Sequence, residues 1–140
     1  MSAATAAARV IGQVGLGAAL IGAGTLHLTS GRKAFRAQVP SWLPADPDTV
    51  VLVSGGVELG LGGALLVAWP QPARAVTGLA TAAFFVGIFP GNIAQLVERR
   101  NAFGLDTDAK RATRLLFQPL LVAWALAATD ARAALRPGRD

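Results

Sequence analysis

Residues 50–69, VVLVSGGVELGLGGALLVAW, decide how this chain is read. A helix needs about 20 mostly apolar residues to cross a hydrocarbon layer about 30 Å thick. This run meets that length with Glu58 as its one ionisable residue. Three more runs read the same way, 10–28, 75–97 and 114–129; the last is the shortest, and 109–113 extend it into the interface. The expectation is an all-α membrane protein: an antiparallel bundle of four transmembrane helices spanning 10–129, between an N-terminal tail (1–9) and a C-terminal tail (130–140). A cleaved leader is the competing reading of the first run, since Arg9 precedes it. No small-x-small cleavage site follows Leu28, which argues for a retained span.

Composition agrees. Of the 140 residues, 53% are hydrophobic and 15% charged, against about 25% charged in soluble domains, and the mean hydropathy is +0.48. With no cysteine, the chain offers no disulfide, thiolate metal site or iron–sulfur ligand. A single His and a single Met, the initiator, do not make a two-ligand haem site, and no metal or intrinsic cofactor is expected. The net charge of +5 does not point to nucleic acid. Arg9, Arg74, Arg99, Arg100, Arg111 and Arg114 flank the apolar runs, as headgroup anchors do, and no nucleic-acid-binding motif is present.

The breaks between runs carry their own signals. Asp46-Pro47-Asp48-Thr49 offers caps before the second span, and Pro70-Gln71-Pro72 ends it, so spans two and three are expected to be antiparallel neighbours. Between spans one and two, Phe35, Val39, Trp42 and Leu43 fall at i, i+4, i+7 and i+8 opposite Arg32, Lys33 and Arg36. That pattern predicts an amphipathic segment lying in the interface. Residues 98–110, ERRNAFGLDTDAK, read as an exposed loop with Asp106 or Thr107 capping the last helix.

In such a bundle the polar residues of the spans gather at one end, here termed the loop side. His27 closes span one, Ser54 and Glu58 lie in the first half of span two, Asn92 and Gln95 come late in span three, and Arg114 and Gln118 open span four; Gln13 alone departs. Steps of three and four connect Gln13, Gly17, Leu20, Gly24 and His27; Ser54, Glu58, Leu61 and Leu65; Gly78, Thr81, Phe85, Ile88, Asn92 and Gln95; and Arg114, Gln118, Leu121 and Ala125. Gly56, Gly60 and Ala64, and Gly87 with Gly91, form small-residue stripes expected to let backbones approach.

Glu58 lies roughly 12 Å into its span at 1.5 Å per residue, too deep to snorkel. An ionisable group there costs on the order of 3 kcal/mol unless paired or used. Two readings stand. Glu58 is structural, protonated or paired with His27 or Arg114, or it is a proton-handling carboxylate in a small polar pocket with His27 as a second candidate. For His27 alone a packed histidine is favoured over a metal ligand, because His27 and Glu58 fall short of any metal set. Pro90 removes the amide that would bond the Val86 carbonyl. Asn92 therefore follows either a bend lining a cavity or a kink that ends the helix early, and Gln118 before Pro119 has the same two readings. Trp42, Trp69 and Trp124 read as belt or packing aromatics.

Taken in order, GAGTLH (22–27), Phe35, VPSWLP (39–44), SGGVEL (54–59), FPGNI (89–93), and Arg114 with Gln118 and Trp124 resemble the DoxX-like family, over about residues 22–125. The resemblance implies a four-helix multi-pass protein of the bacterial cytoplasmic membrane, in a superfamily that includes subunits of membrane redox assemblies as well as assembly and cargo factors. His27, Glu58, Asn92, Arg114 and Gln118 hold its recurrent polar positions. Thiol-linked roles of relatives do not transfer to a chain without cysteine.

Three functions follow as expectations. The first is an accessory subunit of a redox assembly, binding a quinone-like or lipid ligand through His27, Ser54, Glu58, Asn92, Arg114 and Gln118. No complete catalytic constellation accompanies it. The second is a non-catalytic scaffold or assembly factor that docks a membrane or peripheral partner protein. The third, solute or proton transport, is disfavoured by four short helices without an inverted repeat, although a homo-oligomer offers a path. Basic residues are denser on the loop side, leaning toward cytoplasmic loops and external termini.

Overall fold

The structure is a computed structural model that describes residues 1–132 and Arg136. Of the expected C-terminal tail, residues 133–135 and 137–140, with Arg139, lie outside the described residues. The described residues form helices and no strands: α1 (Ala3–Leu28), α2 (Arg32–Phe35), a 3-10 turn (Arg36–Gln38), α3 (Pro47–Val67), α4 (Ala73–Gly87), α5 (Phe89–Val97) and α6 (Asp108–Ala128).

Local chemistry sets the ends. The Ser2 hydroxyl accepts from the Thr5 amide at the start of α1, and Asp46 does the same for Thr49 before Pro47 opens α3; both satisfy amides that have no partner within the helix. Thr107, rather than Asp106, caps α6 by accepting from Lys110 N–H. The 75–97 run is one long segment interrupted at Ile88, where α4 ends and α5 begins with Pro90 in its first turn. The proline bends this segment without ending it early. Pro119, by contrast, sits inside an unbroken α6.

Among the described residues, three helical stretches are long and apolar enough to cross a membrane: Ala3–Leu28, Pro47–Val67 and Ala73–Val97. The fourth expected span falls on α6, whose first two turns carry Asp108, Lys110, Arg111 and Arg114, so its apolar part is short.

α1 packs along α3 and α4 along α6, with α6 also touching α1. On α1 the buried stripe is Gln13, Leu16, Gly17, Leu20, Gly24 and His27; on α3 it is Val51, Gly55, Glu58, Gly62 and Leu65. A Cβ on Gly24 would stand 2.7 Å from the Gly55 carbonyl oxygen, and one on Gly62 would stand 2.8 Å from that of Gly17, so the backbones themselves touch. The close approach thus runs through Gly17, Gly24, Gly55 and Gly62. Gly56, Gly60 and Gly87, expected to serve this purpose, face open space; on α3 the buried stripe runs through Gly55, Glu58 and Gly62 and passes Gly56 and Gly60 by. Leu16, Leu20, Leu65, Ala82, Phe85 and Ala125 form the central apolar cluster.

The polar residues are not confined to one end. Gln13, fully buried, donates to the carbonyls of Leu65 (2.7 Å) and Ala68 (3.1 Å), where α3 runs out of its own donors. Thr81 and Thr129 are also fully buried, each bonded to the carbonyl four residues back. These three satisfy helix backbone.

Candidate functional site

A cavity of about 420 Å³ lies between α1, α3, the α4–α5 segment and α6, roofed by residues 35–43. Leu16, Leu20, Phe84, Phe85, Leu121 and Trp124 line it with apolar surface; its polar lining comes from His27, Gln38, Ser54, Glu58 and Arg114.

His27 occupies the last turn of α1, and its Nδ1 is 2.8 Å from the Ala23 carbonyl oxygen and 2.9 Å from Glu58 Oε2. Both side chains are about a tenth exposed or less. The Ala23 carbonyl oxygen can only accept, so in that bond His27 Nδ1 carries the proton and donates. One N–H cannot point at both acceptors. The bond to Ala23 has the better geometry, and Glu58 Oε2 is left buried beside the ring without a hydrogen bond of its own. Phe35 stacks on the imidazole, centroids 3.4 Å apart at 17°, and itself leans on Phe103 at 4.7 Å. The ring is therefore fixed from three sides.

On the opposite wall α6 contributes Arg114. Its Nη1 donates to Gln118 Oε1 at 3.3 Å, and no described carboxylate lies within ion-pair distance of it. Gln118 is a junction: its Oε1 also accepts from Asn92 Nδ2 at 3.3 Å, and its Nε2 donates to the Phe85 carbonyl at 2.6 Å. That carbonyl is at the helix break before Pro90, so Gln118 supplies a donor beside the break.

The sequence reading placed six residues in one pocket. The structure brings His27, Ser54, Glu58 and Arg114 to the cavity wall, and sets Asn92 and Gln118 behind Arg114, outside the lining. Gln118 instead borders a smaller apolar recess of about 290 Å³ with Val86, Phe89, Pro119 and Val122. Glu58 pairs with His27, and Arg114 stands apart from both.

Residues 32–43, expected as an interfacial segment, form a short helix, a 3-10 turn and the roof over the cavity. Phe35, Val39, Trp42 and Leu43 all border the cavity, with Val39 and Pro40 buried and Trp42 still 69% exposed at its rim. Polar contacts fasten the segment to the chain after α5. Arg100 Nη1 donates to the carbonyls of Val39 (2.6 Å) and Arg36 (3.2 Å), and Gln38 Nε2 donates to Gln95 Oε1 at 3.1 Å. The Ser41 amide donates to Glu98 Oε1 at 3.2 Å, and the Ser41 hydroxyl donates to the same oxygen. Those bonds, the hydroxyl foremost, with help from Arg100 and against the opposing effect of burial, hold the Glu98 carboxyl below its ordinary value. Under the segment, Gly91 meets the Gln38 carbonyl so closely that no side chain fits there. On the outer side, Arg36 and Arg32 both reach Asp48.

The 98–110 loop is likewise more ordered than its polarity suggests. Buried Arg111 donates to the Arg100 carbonyl (3.1 Å), Asp108 (2.8 Å) and Asn101, and Gln95 donates weakly to the carbonyls of Arg100 and Ala102. Gln38, Arg100 and Arg111 were missed as site-building residues. The partners of Gln38 and Arg100 lie across the fold, which no sequence spacing records; Arg111 has the legible i,i+3 partner Asp108, and its other two lie in the preceding loop.

Residues 16–129 match the model of a family described as Domain of unknown function (DUF8561), and the chain belongs to that family. No curated protein and no solved structure matches it.

Proposed function

We propose that this chain is a DoxX-like protein of the bacterial cytoplasmic membrane, with α1, α3, α4–α5 and α6 as four antiparallel spans, and that its cavity binds an amphiphile with a hydrogen-bonding head. The antiparallel reading is supported by contacts that pair low numbers with high ones: Gln13 with Leu65 and Gly24 with Gly55, then Phe85 with Gln118 and Gly78 with Thr129. The observation that carries the binding role is the cavity itself. Apolar walls with a few convergent polar groups are the make-up of a small-molecule site, and about 420 Å³ is within the usual range of about 300–1,000 Å³.

The ligand's chain lies along Leu16, Leu20, Phe85 and Leu121, and its head meets Ser54, Arg114 and the His27–Glu58 pair. Glu58 Oε2, short of a donor, accepts from a hydroxyl, so the quinol form of a quinone-like head would hand a proton to it as the partner protein takes the electrons. The protein then serves as an accessory subunit of a membrane redox assembly, with electrons carried by the ligand and a partner protein.

The test is extraction of the protein purified in mild detergent, followed by mass spectrometry of retained amphiphiles. Wild type is expected to retain one species in near-stoichiometric amount, and Ser54→Trp, which fills the head end, to lose it with helicity intact. Equal retention by both, or none by wild type, overturns the reading.

A second reading, a scaffold that docks a partner, draws on the outer face of α3, where Gly56 and Gly60 meet no other group and Val53, Val57 and Val67 are exposed. Gly56→Leu with Gly60→Leu would abolish a co-purifying partner on that reading and leave amphiphile retention untouched.

A further inference from the structure

From the charge balance of the cavity wall, we propose that the head of the bound amphiphile is anionic: a single-chain amphiphile carrying a carboxylate or phosphate, whose oxygens lie against Arg114. This rests on the binding role proposed above for the cavity and puts an anionic head in place of the quinone-like one.

The cavity wall carries three ionisable groups, and two of them are in contact. Glu58 lies 2.9 Å from His27 Nδ1. Arg114, the third, lines the same cavity with one long hydrogen bond to a neutral amide and no described carboxylate at ion-pair distance. A guanidinium has five N–H donors in a planar fork suited to a two-oxygen anion, and Gln118 engages a single one. Gln118 also anchors its own amide on Phe85 and receives Asn92, so the oxygen that Arg114 touches is fixed and aims the fork. Arg114 is only partly buried, so the donors it does not use are open to a ligand in the cavity, where an anionic head forms charge-assisted bonds with them. A quinone carbonyl would meet the fork with one neutral oxygen.

The cavity volume limits the rest of the ligand. About 420 Å³ is at the lower end for drug-sized ligands and suits one acyl chain. Trp124 and Trp42 line the cavity while Trp69 does not, so a chain inside it lies against two of the three tryptophans.

The experiment compares four probes matched in tail length, hexadecanoate, hexadecyl phosphate, hexadecanol and an alkyl quinone, on the delipidated full-length protein in neutral detergent, read by native mass spectrometry and competition. The acids are expected to bind at least about tenfold more tightly than the alcohol, the difference a charge-assisted bond supplies. Arg114→Gln should remove that preference and Arg114→Lys keep part of it. The ratio of hexadecanoate to hexadecyl phosphate tells carboxylate from phosphate. A dibrominated fatty acid should quench wild-type fluorescence saturably, and Trp124→Phe should lose much of the saturable part.

Acids and alcohol binding alike, or the quinone binding best, would overturn the anionic head while leaving a binding cavity. Failure of all four to bind would overturn both readings. The wild-type comparison decides the matter even if Arg114→Gln does not fold.

Discussion

His27 turns toward Glu58 the same ring nitrogen that it offers to its own helix, 2.9 Å from Oε2 and 2.8 Å from the Ala23 carbonyl. The pair joins the last turn of α1 to the middle of α3. Removing one partner strands the other in an apolar wall. His27→Ala and Glu58→Ala should each destabilise the protein, and the double variant should cost less than their sum, with a coupling of about 1–3 kcal/mol. Thermal or denaturant unfolding in detergent measures it, and strict additivity would show that the pair is only a contact.

Two glycines on facing helices should respond in opposite ways. Gly24→Ala drives a Cβ onto the Gly55 carbonyl, with 2.7 Å available, and should cost about 1–3 kcal/mol through forced separation of α1 and α3. Gly56→Ala meets open space and should stabilise the helix by about 0.5–1 kcal/mol. Unfolding midpoints of the two variants provide the check.

Acid should loosen the cavity roof. Ser41 and Arg100 depress the folded carboxyl of Glu98, so its contribution is complete above the unfolded value of about 4.3 and is lost as pH falls through the lower folded value. Hydrogen exchange across residues 36–43, corrected for intrinsic rates, should speed up as pH drops from about 5 to about 3. Ser41→Ala should weaken that dependence.

The four spans proposed here would place both termini on one side of the membrane. The excess of arginine and lysine around 32–36 and 99–114 predicts that this side is external. An alkaline phosphatase fusion at the C-terminus should be active and a cytoplasmic reporter silent. Termini on opposite sides would exclude an even number of spans.

Much of the helical layout was legible because apolar length and proline are strong local signals. The runs at 50–69 and 75–97, the cap at Asp46 and the interruption near Pro90 all follow from the chain itself. The inward stripe of α1 from Gln13 to His27 was legible too, since one helix has one period. Register between helices was not. Whether α3 turns Gly55 or Gly56 toward α1 depends on a rotation that its nearly uniform apolar surface does not specify. The site split for a related reason: Gln118 and Asn92 share a level with Arg114, but level says nothing about which side of a helix meets a cavity. The roof was the least legible, because its attachments are made to main-chain atoms and to residues some 60 positions away.

Those attachments bear on how the protein tolerates change. Arg100 grips the oxygens of Arg36 and Val39, which every substitution at those two positions leaves in place. The mooring of the roof is therefore indifferent to which side chains stand at 36 and 39, and a change at Val39 alters the lining of the cavity without cutting the bonds that hold its cover.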